Sequence, residues 1–194
     1  MKNKFLAVAL LGSFLSAPVW AATYQVDADH SSVSFKIKHM LSKVQGNFRK
    51  FEGTIQYEPG KPETWSAAGT IDVNSLDTNN DKRDKHLKSA DFFDLEKYPA
   101  IEFKTTGVKD VTENGAKIEG VLKMHGIEKP IVLDAVIGGV GQDPWGNTRA
   151  AFSATTKVNR EDFGITWNQA LNQGGFLLGK EVEIDLEIEA VQKS

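Results

Sequence analysis

Few side chains in this sequence could do chemistry, and histidine is the first to consider. The 194 residues include His30, His39, His86 and His125 and contain no cysteine. No two of the histidines stand at a zinc-binding spacing such as i, i+4 on a helix, and no thiolate is available to complete a site. The spacing therefore predicts structural histidines, with neither a bound metal nor another cofactor.

A catalytic nucleophile or acid–base pair has little support in the sequence. There is no Gly-x-Ser-x-Gly motif, and a cysteine nucleophile is excluded. His86 stands close in sequence to Asp84 and Asp91, which could imitate an acid–base pair. In so charged a stretch, solvation and surface ion pairing are the more common explanation, so we assign no catalytic residue.

Two partial binding motifs lack residues that binding requires. Residues 77–81 begin like a calcium loop, but Lys82 and Lys88 occupy the places where an EF-hand needs glycine and a bidentate glutamate. Residues 138–141 are glycine-rich but lack the Lys-Ser/Thr of a phosphate loop. The first stretch is interpreted as a polar segment that caps a helix, and the second as a flexible strand end.

The elements that would position a site show a period of two. Near the C-terminus Val182, Ile184, Leu186 and Ile188 alternate with acidic residues, which places all four on one face of a strand. Similar rows lie in residues 33–37, 101–105, 131–137 and 150–158. About eight strands of this kind, each with one apolar and one polar face, are typical of antiparallel sheets.

One stretch departs from this pattern and predicts a helix. Residues 81–87 have favourable i, i+4 charge pairs, with Asn79 or Asn80 as the N-cap and Pro99 ending the insertion. Asp143-Pro144-Trp145-Gly146 predicts a type I turn, and Met124-His125-Gly126-Ile127 predicts a hairpin turn. The fold class is therefore all-β with a short helical insertion, and two-faced strands must either stack as a sandwich or close as a barrel.

The first residues predict export. Lys2 and Lys4 precede an uncharged run from Phe5 to Leu15, and Val19-Trp20-Ala21 offers small residues for a signal peptidase. This run is too short to span a bilayer. We expect residues 1–21 to be removed and residues 22–194 to form one domain in the periplasm. The net charge then moves from −3 to −5, and an acidic chain without long basic runs is a poor nucleic-acid binder.

Four ordered signatures resemble those of one protein family. The first is residues 30–35 with 46–48 and 51–53, and the most specific is residues 83–94 followed by Lys97-Tyr98-Pro99. Met124-His125-Gly126 with Lys129-Pro130, and then Asp162-Phe163-Gly164-Ile165, complete the set. Together they resemble the YceI-like, or polyisoprenoid-binding, proteins from about Tyr24 to Val191.

This resemblance implies a lipocalin-like, eight-stranded antiparallel β-barrel that holds one long apolar chain and has no established enzymatic activity. The ligand would be a polyisoprenoid, an isoprenoid quinone or a fatty-acid derivative. Alternatives are a quinone-presenting partner of a membrane cytochrome, an enzyme that acts on a lipid head group through His86, and a binding module with a filled core. Transient contact with a membrane, and a homodimer through exposed strand edges, are further expectations.

The inward row of each strand supplies the candidate ligand-binding residues. We expect the lining to include Phe35, Ile37, Phe48, Phe51, Ile71, Phe103, Leu122, Leu133, Phe152, Phe163 and Leu186. Leu41 and Trp167 are expected at the mouth. A register error of one residue would turn a whole row outward.

Overall fold

The alternating rows form the strands of a single sheet. The structure, a computed structural model, describes residues 21–193, and within that range it contains eleven strand segments and one α-helix. Apart from Ala21, the predicted export signal lies outside the described residues. The strands are β1 (Ala22–Val26), β2 (Ser32–His39), β3 (Ser42–Phe48), β4 (Phe51–Tyr57), β5 (Ser66–Asp72), β6 (Leu76–Asp77), β7 (Ala100–Lys109), β8 (Gly115–Met124), β9 (Ile127–Gln142), β10 (Thr148–Asn159) and β11 (Leu178–Gln192).

Three pairs of consecutive segments are the halves of long, bent strands. The long strands are β1 with β2, β3 with β4, and β5 with β6. β1 pairs with β4 and β2 with β3, and on the other side β4 pairs with β5 and β3 with β6. Asp27 and Asp72 mark two of the bends, because each side chain accepts a hydrogen bond from the backbone N–H two residues on and starts a 3-10 turn. The third bend lies at residues 49–50, between β3 and β4.

Taken as eight long strands, the sheet is an antiparallel meander that closes on itself. The last strand, β11, pairs with β10 on one side and with both β2 and β1 on the other. The strand pattern of the sequence was compatible with either a sandwich or a barrel. This pairing establishes the closed eight-stranded barrel that the family resemblance implied. A barrel of this size has room for its own side chains or for one small ligand.

Two apolar clusters occupy the interior. The larger one includes Val33, Phe48, Leu122 and Val158 and extends to the barrel end that α1 (Asp81–Leu87) covers. The smaller one is centred on Tyr24, Tyr57, Ala150 and Ala190, towards the opposite end. We call the two ends of the barrel the helix end and the terminus end. At the terminus end, the first strand begins and the last strand finishes.

The predicted helix is present with its predicted bounds and cap. The side chain of Asn80 accepts a hydrogen bond from Arg83 N (3.0 Å), and Pro99 directly precedes β7. Asp84 bonds back to the backbone N–H of Thr78 (3.0 Å), so it fixes the start of the helix. Among the described residues no helix is both long and apolar enough to cross a membrane.

Candidate functional site

The barrel encloses a cavity of about 340 Å³ whose wall is almost entirely apolar. This volume lies at the small end of the range of pockets that hold small organic ligands. Because the strands alternate, each long strand turns one row of side chains into the cavity. β9 contributes Ile131, Leu133, Ala135 and Ile137, and β11 contributes Val182, Ile184, Leu186 and Ile188.

Ten of the thirteen predicted ligand-binding residues lie on the cavity wall. They come from nine of the strand segments, so the period of two places them on a common inner surface. These residues are Phe35, Ile37, Phe48, Phe51, Ile71, Phe103, Leu122, Leu133, Phe152 and Leu186.

The other three predicted residues lie off this wall; Phe163 was expected on it, whereas Leu41 and Trp167 were expected at the mouth. Phe163 is only 1% exposed, but it sits in the 3-10 turn Arg160–Phe163 and packs within the core outside the cavity. Trp167 lies at the helix end and covers the rings of Phe92 (5.1 Å between centroids) and His86 (4.9 Å). Leu41 occupies the tip of the β2–β3 turn and is 99% exposed, so it points away from the interior.

Sequence reasoning missed the residues that close the two ends. At the helix end, Leu87, Phe92 and Phe93 line the cavity from the segment that follows β6. At the terminus end, Tyr57 and Trp65 do so, with their rings 5.0 Å apart. Tyr57 continues the inward row of β4 and could have been found by its spacing. The helical segment, which comprises α1 and the residues that follow it up to Tyr98, has no period that identifies its inner face.

The polar side chain of Arg160 is also buried on this wall. It is 3% exposed, and it continues the inward row of β10 after Thr156 and Val158. Its Nε donates to Gly179 O (2.9 Å) and its Nη1 to Ile165 O (2.6 Å) and Trp167 O (2.9 Å), whereas Nη2 has no partner among the described residues. Burial lowers the pKa of this guanidinium, and the adjacent Glu161 opposes that shift. Its bonds tie the long loop between β10 and β11 to the barrel.

His86 and Asp91 are in contact, as an acid–base pair would require, with Nε2 and Oδ2 2.9 Å apart. Both side chains are largely exposed, and neither lines the cavity within the described part of the chain. Asp84, the other candidate partner, bonds Thr78 instead. The pair therefore lies on the outer side of the helical segment, where its ring packs on Phe92 and Trp167.

A group of potential metal ligands lies at the terminus end, formed by Asp27, His30 and Glu189. Arg149 already bonds two of them, because its Nη1 donates to Asp27 Oδ2 (2.8 Å) and to a carboxylate oxygen of Glu189. Its Nε donates to Asp143 Oδ2 (2.9 Å). The arrangement is that of an ion-pair network around a guanidinium, and it joins β1, β10 and β11 where the barrel closes.

A second depression of about 670 Å³ lies on the outside of β4, β5, β7 and β8. Although it is larger, it is open to solvent and its floor carries charged side chains, among them Glu52, Glu102, Lys104 and Lys123. Ligand pockets are typically concave and mostly apolar with few polar groups. The interior cavity meets that description, and the outer depression does not.

The family follows from comparison with known proteins. The model of the YceI-like domain matches residues 24–190. This chain belongs to the YceI-like family. It is similar to a UPF0312 protein of Vibrio cholerae, with 39% identity over 198 aligned residues that cover all of both chains.

Solved structures place the YceI-like barrel of this chain among related folds. BcnA of Burkholderia cenocepacia has a TM-score of 0.76 and 24% identity, with 85% of this chain and 99% of BcnA covered. A polyisoprenoid-binding domain from Saccharophagus degradans has a TM-score of 0.68 and 16% identity, with 89% of this chain and 99% of that domain covered. At these identities the two structures establish a shared fold.

Proposed function

We propose that this YceI-like protein is a lipid-binding carrier that holds one long apolar chain inside its barrel. The observation behind the proposal is the almost wholly apolar cavity of about 340 Å³ inside a barrel of this family. Burying an apolar chain there gains about 0.8 kcal/mol per CH₂-sized group, which gives such a ligand a large drive to leave water. A ligand of this kind needs little polar recognition, in keeping with the few polar groups on the wall.

The ligand class is a polyisoprenoid or another long-chain lipid. The fold neighbour from Saccharophagus degradans is described as a polyisoprenoid-binding domain, and this supports the same class here. Isoprenoid quinones and fatty-acid derivatives share the required chemistry, a single flexible apolar chain. The identity of the lipid is therefore a question for mass spectrometry.

We place the carrier in the periplasm, on the strength of the signal-like layout of residues 1–21. An aqueous compartment between two membranes is one in which an apolar chain needs a carrier. The test is cell fractionation combined with the intact mass of the protein recovered. A periplasmic protein with the mass of a chain that starts at Ala22 agrees with the proposal, and an uncleaved chain in the membrane fraction contradicts it.

Organic extraction of the purified protein tests the binding function directly. We expect stoichiometric long-chain lipid in the extract, and a ligand-free protein that also fails to take up added prenyl lipids would refute the proposal. Ala154 and Ala151 provide a matched pair, because both lie on β10 but only Ala154 lines the cavity while Ala151 is exposed. Ala154→Phe should abolish lipid uptake, and Ala151→Phe should leave it unchanged.

A non-enzymatic role is part of the proposal. The pair that could act on a lipid head group, His86 and Asp91, lies off the cavity wall, which favours a binding protein. His86→Ala should therefore leave the bound lipid chemically unchanged and equally abundant. If the extract instead contained only an isoprenoid quinone, presentation of that quinone to a membrane cytochrome would become the preferred version.

A further inference from the structure

The tip of the β2–β3 hairpin exposes apolar side chains that the fold does not use. Leu41 is 99% exposed, and Met40 beside it is 47% exposed. Met40 N donates to Leu177 O (2.8 Å), which brings Phe176, 63% exposed, to the same place. We call Met40, Leu41 and Phe176 the apolar tip. Three large apolar side chains exposed on two adjoining segments are typical of a site of interaction.

The residues of this turn are not those that its backbone conformation favours. Met40 and Leu41 link the paired residues His39 and Ser42, and Met40 has a φ of 51°. Two-residue hairpin turns with a positive φ favour glycine, asparagine or aspartate. A methionine there is strained, so the turn retains an apolar side chain at the expense of local stability.

The flank of the apolar tip is basic. Residues 31–51 contain Lys36, Lys38, Lys43, Arg49 and Lys50 but no acidic residue, although the whole chain has a net charge of −3. Lys38 and Lys43 are directly paired one step below the turn. Glu183 of β11 bonds Lys43 (2.7 Å) and is also the cross-strand neighbour of Lys36, and Lys36 and Lys38 form no salt bridge within the described residues. Apolar side chains next to lysines suit the surface of an anionic bilayer.

The position of the apolar tip relates it to the cavity. β2, β6 and β10 all run towards the helix end, so the turn at Met40, the helical segment and the loop after β10 are found there together. Leu87 and Phe93 cover the cavity at this end. We propose that the apolar tip inserts into the surface of an anionic lipid bilayer and turns the helix end of the barrel towards it.

The terminus end offers a contrast within the same molecule. Its turn at residues 143–147 exposes Trp145 by 81%, which is also a large apolar side chain. The loops around it carry Glu58, Glu63, Asp110, Glu113 and Asp143, of which Glu58 pairs with Lys61 and Asp143 with Arg149. Acidic residues outnumber basic ones in these loops, so an anionic surface favours the apolar tip over this end.

The absence of cysteine permits a clean labelling experiment in the protein as purified. Leu41→Cys and Trp145→Cys are each labelled with a polarity-sensitive fluorophore and mixed with vesicles of phosphatidylcholine, with or without phosphatidylglycerol. We expect a blue shift for the label at position 41 with anionic vesicles, which salt weakens, and none for the label at position 145. Equal responses at both positions, or none at position 41, would overturn the proposal.

Cosedimentation with the same vesicles separates apolar from electrostatic contributions. Replacing Met40 and Leu41 by Ser should lower binding by roughly tenfold or more, because the inserted methylene groups are lost. Lys36→Glu with Lys38→Glu should remove the preference for anionic vesicles, and Trp145→Ser should change neither. Unaltered binding in the double serine variant contradicts the proposal.

Membrane docking and lipid binding should be lost in different variants. The double serine variant should still bind a lipid supplied from organic solvent, because its cavity is intact. Ala154→Phe should bind vesicles normally while losing lipid uptake. If both variants lost both properties, docking and cavity binding would be one function and the separate tip would be rejected.

Discussion

Arg160 links three backbone carbonyl groups from β11 and the loop before it. Its guanidinium donates to Gly179, Ile165 and Trp167, and so joins β11 to the loop that precedes it. In the sequence this arginine follows an inward row of β10, but its partners lie in a loop without periodicity. Its position on the wall could therefore be predicted, and its hydrogen bonds could not.

Replacing Arg160 tests how much these bonds stabilise the fold. We expect Arg160→Met to lower the free energy of unfolding by roughly 3 kcal/mol, because buried carbonyls lose charge-assisted hydrogen bonds. Arg49 is the control, since it is an exposed arginine that pairs with Asp77 (2.9 Å). Arg49→Met should cost less than about 1 kcal/mol. Urea unfolding of both variants measures the difference, and equal losses would contradict this role for Arg160.

Arg149 makes the stability of the barrel depend on acidic pH. Its guanidinium holds the pKa of Asp27 below the ordinary value, and hydrogen bonds from Asn147 and Arg149 hold the pKa of Asp143 well below it. A carboxylate with a depressed folded-state pKa stabilises the fold above its unfolded pKa, near 3.9. That stabilisation is lost as the pH falls through the folded-state value.

The consequence can be measured against Arg149→Met. At neutral pH the wild type should have the higher thermal unfolding midpoint, and the gap should narrow steadily as the pH falls below about 4. Arg49→Met is the comparison. The backbone N–H of Asn79 and then Arg49 also lower the pKa of Asp77, but Arg49 forms one exposed pair, so its gap should be smaller at every pH. A gap that stays constant down to the acid limit would show that Arg149 stabilises the barrel closure by packing alone.

At the scale of the element, the strands were predictable and their bends and coverings were not. The rows in β9 and β11 follow from a period of two, as does their common inner face. The bend at Asp27 depends on a local side-chain hydrogen bond that competes with strand pairing. Phe163 was misplaced because a 3-10 turn, and not a strand, holds it.

The helical segment is expected to be the most easily opened cover of the cavity. The backbone hydrogen bonds seen for the N–H groups of residues 84–98 all end within residues 80–94. Its hold on the barrel comes from side chains, such as Phe93 against Phe48 (6.0 Å between centroids) and Tyr98 against His125 (4.8 Å). Segments of this kind open at a lower free energy than the strands.

Hydrogen exchange tests this expectation for the helical segment. Amides of residues 84–98 should exchange faster than those of β9, β10 and β11, and added lipid should slow them, because Leu87 and Phe93 then contact the ligand. Phe93→Ala should speed exchange in this segment without affecting the strands. Exchange as slow as that of β10, in lipid-free protein, would contradict this expectation.

At the scale of the whole molecule, closure of the ring of strands determines both stability and the choice of partners. Pairing of β1 and β2 with β11 satisfies backbone groups that an open sheet would leave at its edges. A homodimer, which stays a prediction, would consequently need a surface other than these edges. The chain also contains no cysteine, so no disulfide stabilises the barrel and its core must do so alone.

Removal of the lipid should therefore lower stability without changing the fold. A ligand that binds only the folded state stabilises it by RT ln(1 + [L]/Kd), about 2.7 kcal/mol at a hundredfold excess over Kd. We expect delipidated protein to keep its far-ultraviolet circular dichroism, to unfold at a lower temperature, and to recover when lipid is returned. Ala154→Phe should unfold at the same temperature with and without lipid, whereas Ala151→Phe should respond as the wild type does. An unchanged midpoint for wild-type protein after complete extraction would mean that the lipid does not occupy the interior cavity.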